Sequence, residues 1–197
     1  STLRRRVNMM RLDELIAHSQ RILVFTGAGI STGSGIPDFR GPNGVWQKRQ
    51  PVYYQDFMTS HTARVEYWDQ KLEGWAAFRD AVPNATHRAI VELAPKLQAV
   101  VTQNIDGLHA KAGTDEAKLI ELHGSNREVA CQTCETRSDP AAAFAAFSMT
   151  REPPTCACGG FLKPATISFG QSLDQGDIER AVVAAMACDL VIALGST

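Results

Sequence analysis

The sequence predicts an α/β fold in which a parallel sheet is covered by helices on both faces and a smaller lobe is assembled from two insertions. Three observations lead there. Short apolar runs ending in glycine or polar residues recur along the chain, and segments of helical period fall between them. Two stretches then break the alternation, one rich in aromatic residues and one holding four of the five cysteines.

Taken in order, Met9, Met10, Leu12, Leu15 and Ile16 recur at helical spacing and precede "RILVFTGAG", a buried strand running into glycine. Further strands are expected at "QAVVTQ", "KLIELHG", "ATISFG" and "DLVIALGST". Helices are expected at "NATHRAIVELAPKL", capped by Asn84 or Thr86, and at "LDQGDIERAVVAAMA", capped by Asp174. Strands buried on both faces imply parallel pairing, and such sheets bind ligands outside the carboxyl ends of their strands. The insertions are 47–83, with Tyr53, Tyr54, Phe57, Tyr67, Trp68 and Trp75, and the cysteine-bearing 129–161.

A chain of 197 residues accommodates one core plus an appended lobe. With 44% hydrophobic residues and a net charge of −1, it reads as a soluble globular protein without a basic field for nucleic acid. Arg4, Arg5 and Arg6 read as a solvated arm. The absence of an eighteen-residue apolar run argues against a membrane partner, and the absence of a signal core argues for a cytoplasmic setting with reduced thiols.

The stretch "VFTGAGISTGSGIPDFRGPNGVW" places Gly27, Gly29, Gly33 and Gly35 after a strand, where bare backbone lets N–H groups approach a phosphate. Gly33 falls four residues after Gly29, so the dehydrogenase fingerprint fits poorly, and no P-loop lysine follows. A tight turn without a ligand explains the glycines alone equally well. Asp38, Phe39 and Arg40, stiffened by Pro37 and Pro42, set an aromatic ring between opposite charges. "TQNIDGLH" presents Gln103, Asn104 and Asp106 at a strand end, amides suited to a carboxamide or a ribose diol, or else a polar turn. His123 ends "KLIELH" and can accept a proton at neutral pH, whereas His109 reads as a capping or packing residue. Cys131 with Cys134, and Cys156 with Cys158, read as a four-thiolate structural zinc site; Cys188 reads as buried.

The glycine stretch, "TQNIDGLH", "LHG" at 122–124, the cysteine pairs and "LKPATISFGQ", in that order from Arg21 to Thr197, closely resemble the sirtuin family. The resemblance implies a Rossmann-like domain at 1–46, 84–128 and 162–197, and a small zinc-binding and helical domain at 47–83 and 129–161. It also implies NAD-dependent deacylation of a lysine peptide or protein, deacetylation foremost, yielding nicotinamide and O-acyl-ADP-ribose. NAD hydrolysis, ADP-ribosyl transfer and non-catalytic binding are the alternatives.

By the same resemblance, Gly27, Ala28, Gly29 and Ser31 hold the NAD phosphates, and Asp38, Phe39 and Arg40 form a mobile cofactor loop. Gln103 and Asn104 meet the nicotinamide ribose, Asp106 helps define the nicotinamide pocket, and His123 takes a proton from a ribose hydroxyl. Ile167, Phe169 and Gly170 meet an acyl-lysine strand, while Gly195 and Ser196 approach ribose or phosphate. The family's second cysteine pair is C-x-x-C, so the C-x-C here requires a tighter turn. Family members continue beyond "LGST", and NAD affinity is expected to suffer without that segment. Desuccinylating relatives carry tyrosine and arginine three residues apart; Tyr67 is followed there by Gln70, which implies a neutral acyl group.

Overall fold

The structure is a computed structural model and describes residues 11–37 and 50–196. Its first half runs α1 (Leu12–His18), β1 (Ile22–Thr26), a 3-10 turn (Ala28–Ser34), α2 (Tyr54–Thr59), α3 (His61–Asp80), α4 (Ala85–Glu92), β2 (Leu97–Thr102) and α5 (Leu108–Ala112). A second 3-10 turn (Glu116–Lys118), β3 (Leu119–Glu121), β4 (Gly124–Cys131), β5 (Arg137–Ser138), α6 (Pro140–Thr150), β6 (Leu162–Thr166), α7 (Gln175–Ala187) and β7 (Leu190–Leu194) follow. Met9 and Met10 lie outside the described residues.

β1 pairs in parallel with both β2 and β7, and β2 with β3, giving the order β3-β2-β1-β7. Side chains alternate across a strand, so Ile22 and Val24 pack on one face with Ile90 of α4, while Leu23 packs on the other with Ala184 of α7. Both faces of β1 and β2 are thereby covered, which is why those strands read as continuous apolar runs, whereas edge strand β7 alternates half-buried and exposed residues, with Val191 55% exposed. Asn84 caps α4 by accepting from Thr86 N–H at 2.9 Å, and Asp174 caps α7 by accepting from Asp177 N–H at 2.9 Å.

The strand expected at "ATISFG" differs. The paired residues are Leu162–Thr166, and they run antiparallel to β4 in a second sheet ordered β5-β4-β6. β4 begins beside the candidate base His123 and ends at the zinc-type Cys131, so it crosses the boundary expected at 128/129. Periodicity reads an apolar run as a strand but does not name its partner; pairing with β4 decided that.

Aromatic residues from the first insertion pack with the second. Phe57, Tyr67 and Trp68 form one core with Val129, Phe144 and Phe147. Trp75 stacks on Phe144 with ring centroids 4.2 Å apart. The two insertions thus bury each other's apolar surface, and the sheet keeps its own core.

Candidate active site and metal centre

The ends of β1, β2, β3 and β7 open into a cleft of about 660 Å³ whose far wall is the segment after β6. Gly27, Ala28, Gly29, Gln103, Asn104, His123, Gly195 and Ser196 line it from the parallel sheet. Ile167, Phe169 and Gly170 line it from the opposite side. Asp38, Phe39 and Arg40 lie outside the described residues.

Two of the glycines have a further physical reason in the packing of the chain itself. A Cβ on Gly27 would stand 2.6 Å from the carbonyl oxygen of Gly195, and one on Gly29 3.0 Å from that same oxygen. The missing side chains therefore admit the neighbouring turn after β7. Gly27 N–H donates to Leu194 and Gly29 N–H to Gly195, both at 3.0 Å, so Ala28 remains as the cleft-lining amide of this turn without a backbone acceptor among the described residues.

Ser31 and Asp106 are set behind the cleft. Ser31 is 1% exposed and donates to Asp106 Oδ2 at 2.6 Å, while Asp106 Oδ1 accepts from Leu108 N–H at 2.9 Å. With both carboxylate oxygens engaged, Asp106 braces the loop. Asn104 Nδ2 donates to the Gly27 carbonyl at 3.1 Å and to Ser31 Oγ at 3.3 Å, joining the β1 and β2 loops. Its Oδ1 is buried with no hydrogen-bond partner among the described residues, an acceptor left over in the cleft wall.

His123 Nδ1 lies 3.0 Å from the Gln103 carbonyl oxygen. A carbonyl only accepts, so the neutral ring carries its proton on Nδ1 and keeps a lone pair on Nε2. The next residue, Gly124, has φ +69, and a Cβ there would collide with the Ala165 carbonyl; glycine is what lets the chain turn from β3 into β4 at this point. His109, by contrast, is buried, bonds Thr26 Oγ1 through Nε2 at 2.9 Å and packs edge-on to His87. Burial, and then the neighbouring His87, lower its pKa to about 4, so it is a neutral core residue.

Backbone groups opposite the sheet are partly engaged: Ile167 N–H donates to the His123 carbonyl, and the Phe169 carbonyl accepts from Tyr54 N–H, both at 2.8 Å. The Tyr53 and Phe169 rings lie 6.0 Å apart, tying α2 to this wall.

The four sulfur atoms of Cys131, Cys134, Cys156 and Cys158 all lie within 4.8 Å of one another. Cys131 to Cys158 is 3.5 Å and Cys134 to Cys156 is 3.7 Å, close to the roughly 3.8 Å edge of a tetrahedron with zinc–sulfur bonds of about 2.3 Å. The short C-x-C spacing closes because Gly159 adopts φ +85 and Gly160 leaves room for Cys131 and Thr133. This donor set fits zinc, and four protein ligands leave no position for substrate. Cys188 is half-buried and bonds the Ala185 carbonyl at 3.2 Å, away from the quartet.

A parallel-sheet domain with a ligand-sized cleft at its strand ends, joined to a lobe carrying a closed four-thiol site, defines a zinc-supported ligand-binding α/β class. The comparisons narrow it: the sequence pattern of the Sir2 family matches residues 27–197, and the chain belongs to that family. An NAD-dependent protein deacetylase of Rhodopseudomonas palustris is 42% identical over 190 residues, covering 95% of this chain and 75% of that protein. One from Bradyrhizobium diazoefficiens is 40% identical over 194 residues, covering 98% and 76%. The solved complex described as Sir2 with a p53 peptide and NAD+ superposes with a TM-score of 0.82 at 36% identity, covering 95% of this chain and 76% of that one.

Proposed function

We propose that the protein is an NAD-dependent protein-lysine deacylase, a deacetylase foremost, that releases nicotinamide and O-acyl-ADP-ribose. The observation that carries the reading is the fixed tautomer of His123, whose Nε2 lone pair is kept available by the Gln103 carbonyl. Relatives at 40–42% identity are named for this activity, and a cleft of about 660 Å³ with an orphaned Asn104 Oδ1 is suited to a large polar ligand.

NAD, when bound, supplies an electrophilic ribose carbon with nicotinamide as leaving group. In this reading Asn104 Oδ1 accepts a hydrogen bond from the ligand, and His123 Nε2 takes a proton from a hydroxyl held in the cleft. Gln103 lines the same mouth. Ala28, with Gly27 and Gly29, faces the phosphates, while Ser31 and Asp106 act at one remove by holding that loop against Asn104. Gly195 and Ser196 extend the phosphate side; Asp38, Phe39 and Arg40 are proposed for the reactive end. Ile167, Phe169 and Gly170 would flank an acyl-lysine strand.

The division into a nucleotide-binding domain and a small domain belongs to this proposal, with β4 and β6 bridging the two. Among the described residues no helix is long and apolar enough to cross a membrane, and a four-thiolate site suits a reducing compartment such as the cytoplasm. The test is mass spectrometry of the chain incubated with NAD and an acetyl-lysine peptide. Deacetylated peptide and O-acetyl-ADP-ribose are expected together; nicotinamide release without loss of the acetyl group would instead identify an NAD hydrolase.

A further inference from the structure

β2 leaves the sheet at the peptide unit that joins Gln103 to Asn104. Gln103 N–H still donates to the Thr26 carbonyl at 3.0 Å, as a continuing strand would. Asn104 N–H donates instead to a side chain, Thr102 Oγ1, at 3.0 Å. The carbonyl of that same peptide unit is the Gln103 oxygen that lies 3.0 Å from His123 Nδ1. A peptide unit is planar, with its N–H and C=O directed oppositely, so holding the N–H aims the carbonyl. Thr102 Oγ1 is therefore coupled to the candidate base through one rigid plane.

Behind Thr102 runs a buried chain of hydrogen bonds. Thr26 Oγ1, at the end of the neighbouring strand β1, donates to Thr102 Oγ1 at 2.8 Å. A hydroxyl has a single proton, so Thr26 Oγ1 accepts from its other neighbour, His109 Nε2 of α5, at 2.9 Å. The proton of the His109 ring is thereby placed on Nε2, and Nδ1 is left as a lone pair, buried without a hydrogen-bond partner among the described residues. Thr26, Thr102 and His109 are each no more than 2% exposed, so water does not compete for these bonds. Burial also keeps the His109 ring uncharged, and it donates as a neutral imidazole.

We propose that His109, Thr26 and Thr102 are positioning residues for His123: their hydrogen-bond chain holds the Gln103–Asn104 peptide in the orientation that keeps the proton on His123 Nδ1 and the lone pair on Nε2. On the deacylase reading, on which this role rests, the chain serves the base without touching the ligand, since none of the three side chains lines the cleft. Without the Thr102 oxygen, the Asn104 N–H would lack an acceptor, and the peptide would rotate to find another. That rotation takes the Gln103 carbonyl away from His123, and either ring nitrogen can then carry the proton.

Nitrogen-15 NMR of the histidine rings, at about pH 8 where an ordinary imidazole is neutral, reads the tautomers directly. His123 is expected as the Nδ1–H form and His109 as the Nε2–H form. Thr102→Val keeps the shape and removes the oxygen. It is expected to turn His123 into a mixture of tautomers and to lower kcat for an acetyl-lysine peptide about tenfold while sparing KM for that peptide; Thr102→Ser restores both. Should Thr102→Val not fold, His109→Leu and His109→Gln make the same comparison, because a glutamine amide can donate to Thr26 and leucine cannot. The native His123 tautomer in Thr102→Val, or in both His109 variants, overturns the chain, and so does an Nε2–H His123 in the unaltered protein. The spectra need no turnover, so expected tautomers in a protein that does not deacetylate count against the deacylase reading alone.

Discussion

The Nδ1 of His123 sits 3.0 Å from the carbonyl oxygen of Gln103, so the backbone after β2 sets which nitrogen of a side chain after β3 is basic. Replacing His123 by alanine is expected to lower NAD-dependent deacylation by about 10²–10⁴-fold, the usual range for a general base. The ring is half-buried and its loss leaves the sheet intact, so thermal unfolding should move little. Steady-state rates alongside a melting curve check both; a variant that keeps most of its rate removes His123 from the chemistry.

Asn104 ties the β1 and β2 loops together and keeps one acceptor in reserve. Asn104→Ala removes one donor from the Gly27 carbonyl, which keeps the Ile30 N–H, so the expected cost is that of an ordinary hydrogen bond, about 0.5–1.5 kcal/mol in denaturant unfolding. Activity should fall further than stability explains, because Oδ1 has no hydrogen-bond partner among the described residues and is proposed to meet the ligand. Equal rates at equal folded fraction would show that the orphaned oxygen contributes nothing.

Gly27→Ala forces a methyl against the Gly195 carbonyl oxygen, 2.6 Å away. Overpacking of this kind costs about 1–3 kcal/mol, and separating the turns after β1 and β7 should also raise KM for NAD. Calorimetry and NAD titration read the two effects independently. A normal melting temperature means that the turns move apart freely.

Zinc analysis should find one ion per chain, and Cys156→Ser should lower its retention. Because the quartet closes the lobe that packs through Trp68 and Phe147, chelation is expected to broaden or lose the near-ultraviolet circular dichroism of those aromatics. Full aromatic ellipticity after complete removal of zinc would limit the metal to a passive role.

His109 makes acid stability a prediction with a sign. Its pKa is lowered to about 4 in the folded chain, from 6.5 when unfolded. Between those values the unfolded chain binds a proton that the folded chain refuses. Stability is therefore fully present above pH 6.5 and falls as the pH drops toward 4, by on the order of 3 kcal/mol. Urea unfolding of the protein and of His109→Gln across this window checks it: the variant should show a flatter profile, and identical slopes would acquit His109.

Much of the fold is local and was legible in the amino-acid order. Apolar runs at Ile22–Thr26, Leu97–Thr102 and Leu190–Leu194, the caps Asn84 and Asp174, and the four clustered cysteines each follow from period, composition or spacing within a few residues. The cleft residues Gln103, Asn104 and His123 were legible for the same reason, as polar groups placed where parallel strands end. Tertiary structure decided what each group is left free to do. Gly27 backs onto Gly195, Ser31 and Asp106 bond each other behind the loop, and Leu162–Thr166 joins Gly124–Cys131. Those outcomes depend on partners tens of residues away in the chain. A hydrogen-bonding group's chemistry is whatever remains after such partners are satisfied, and that remainder exists only once the chain is packed.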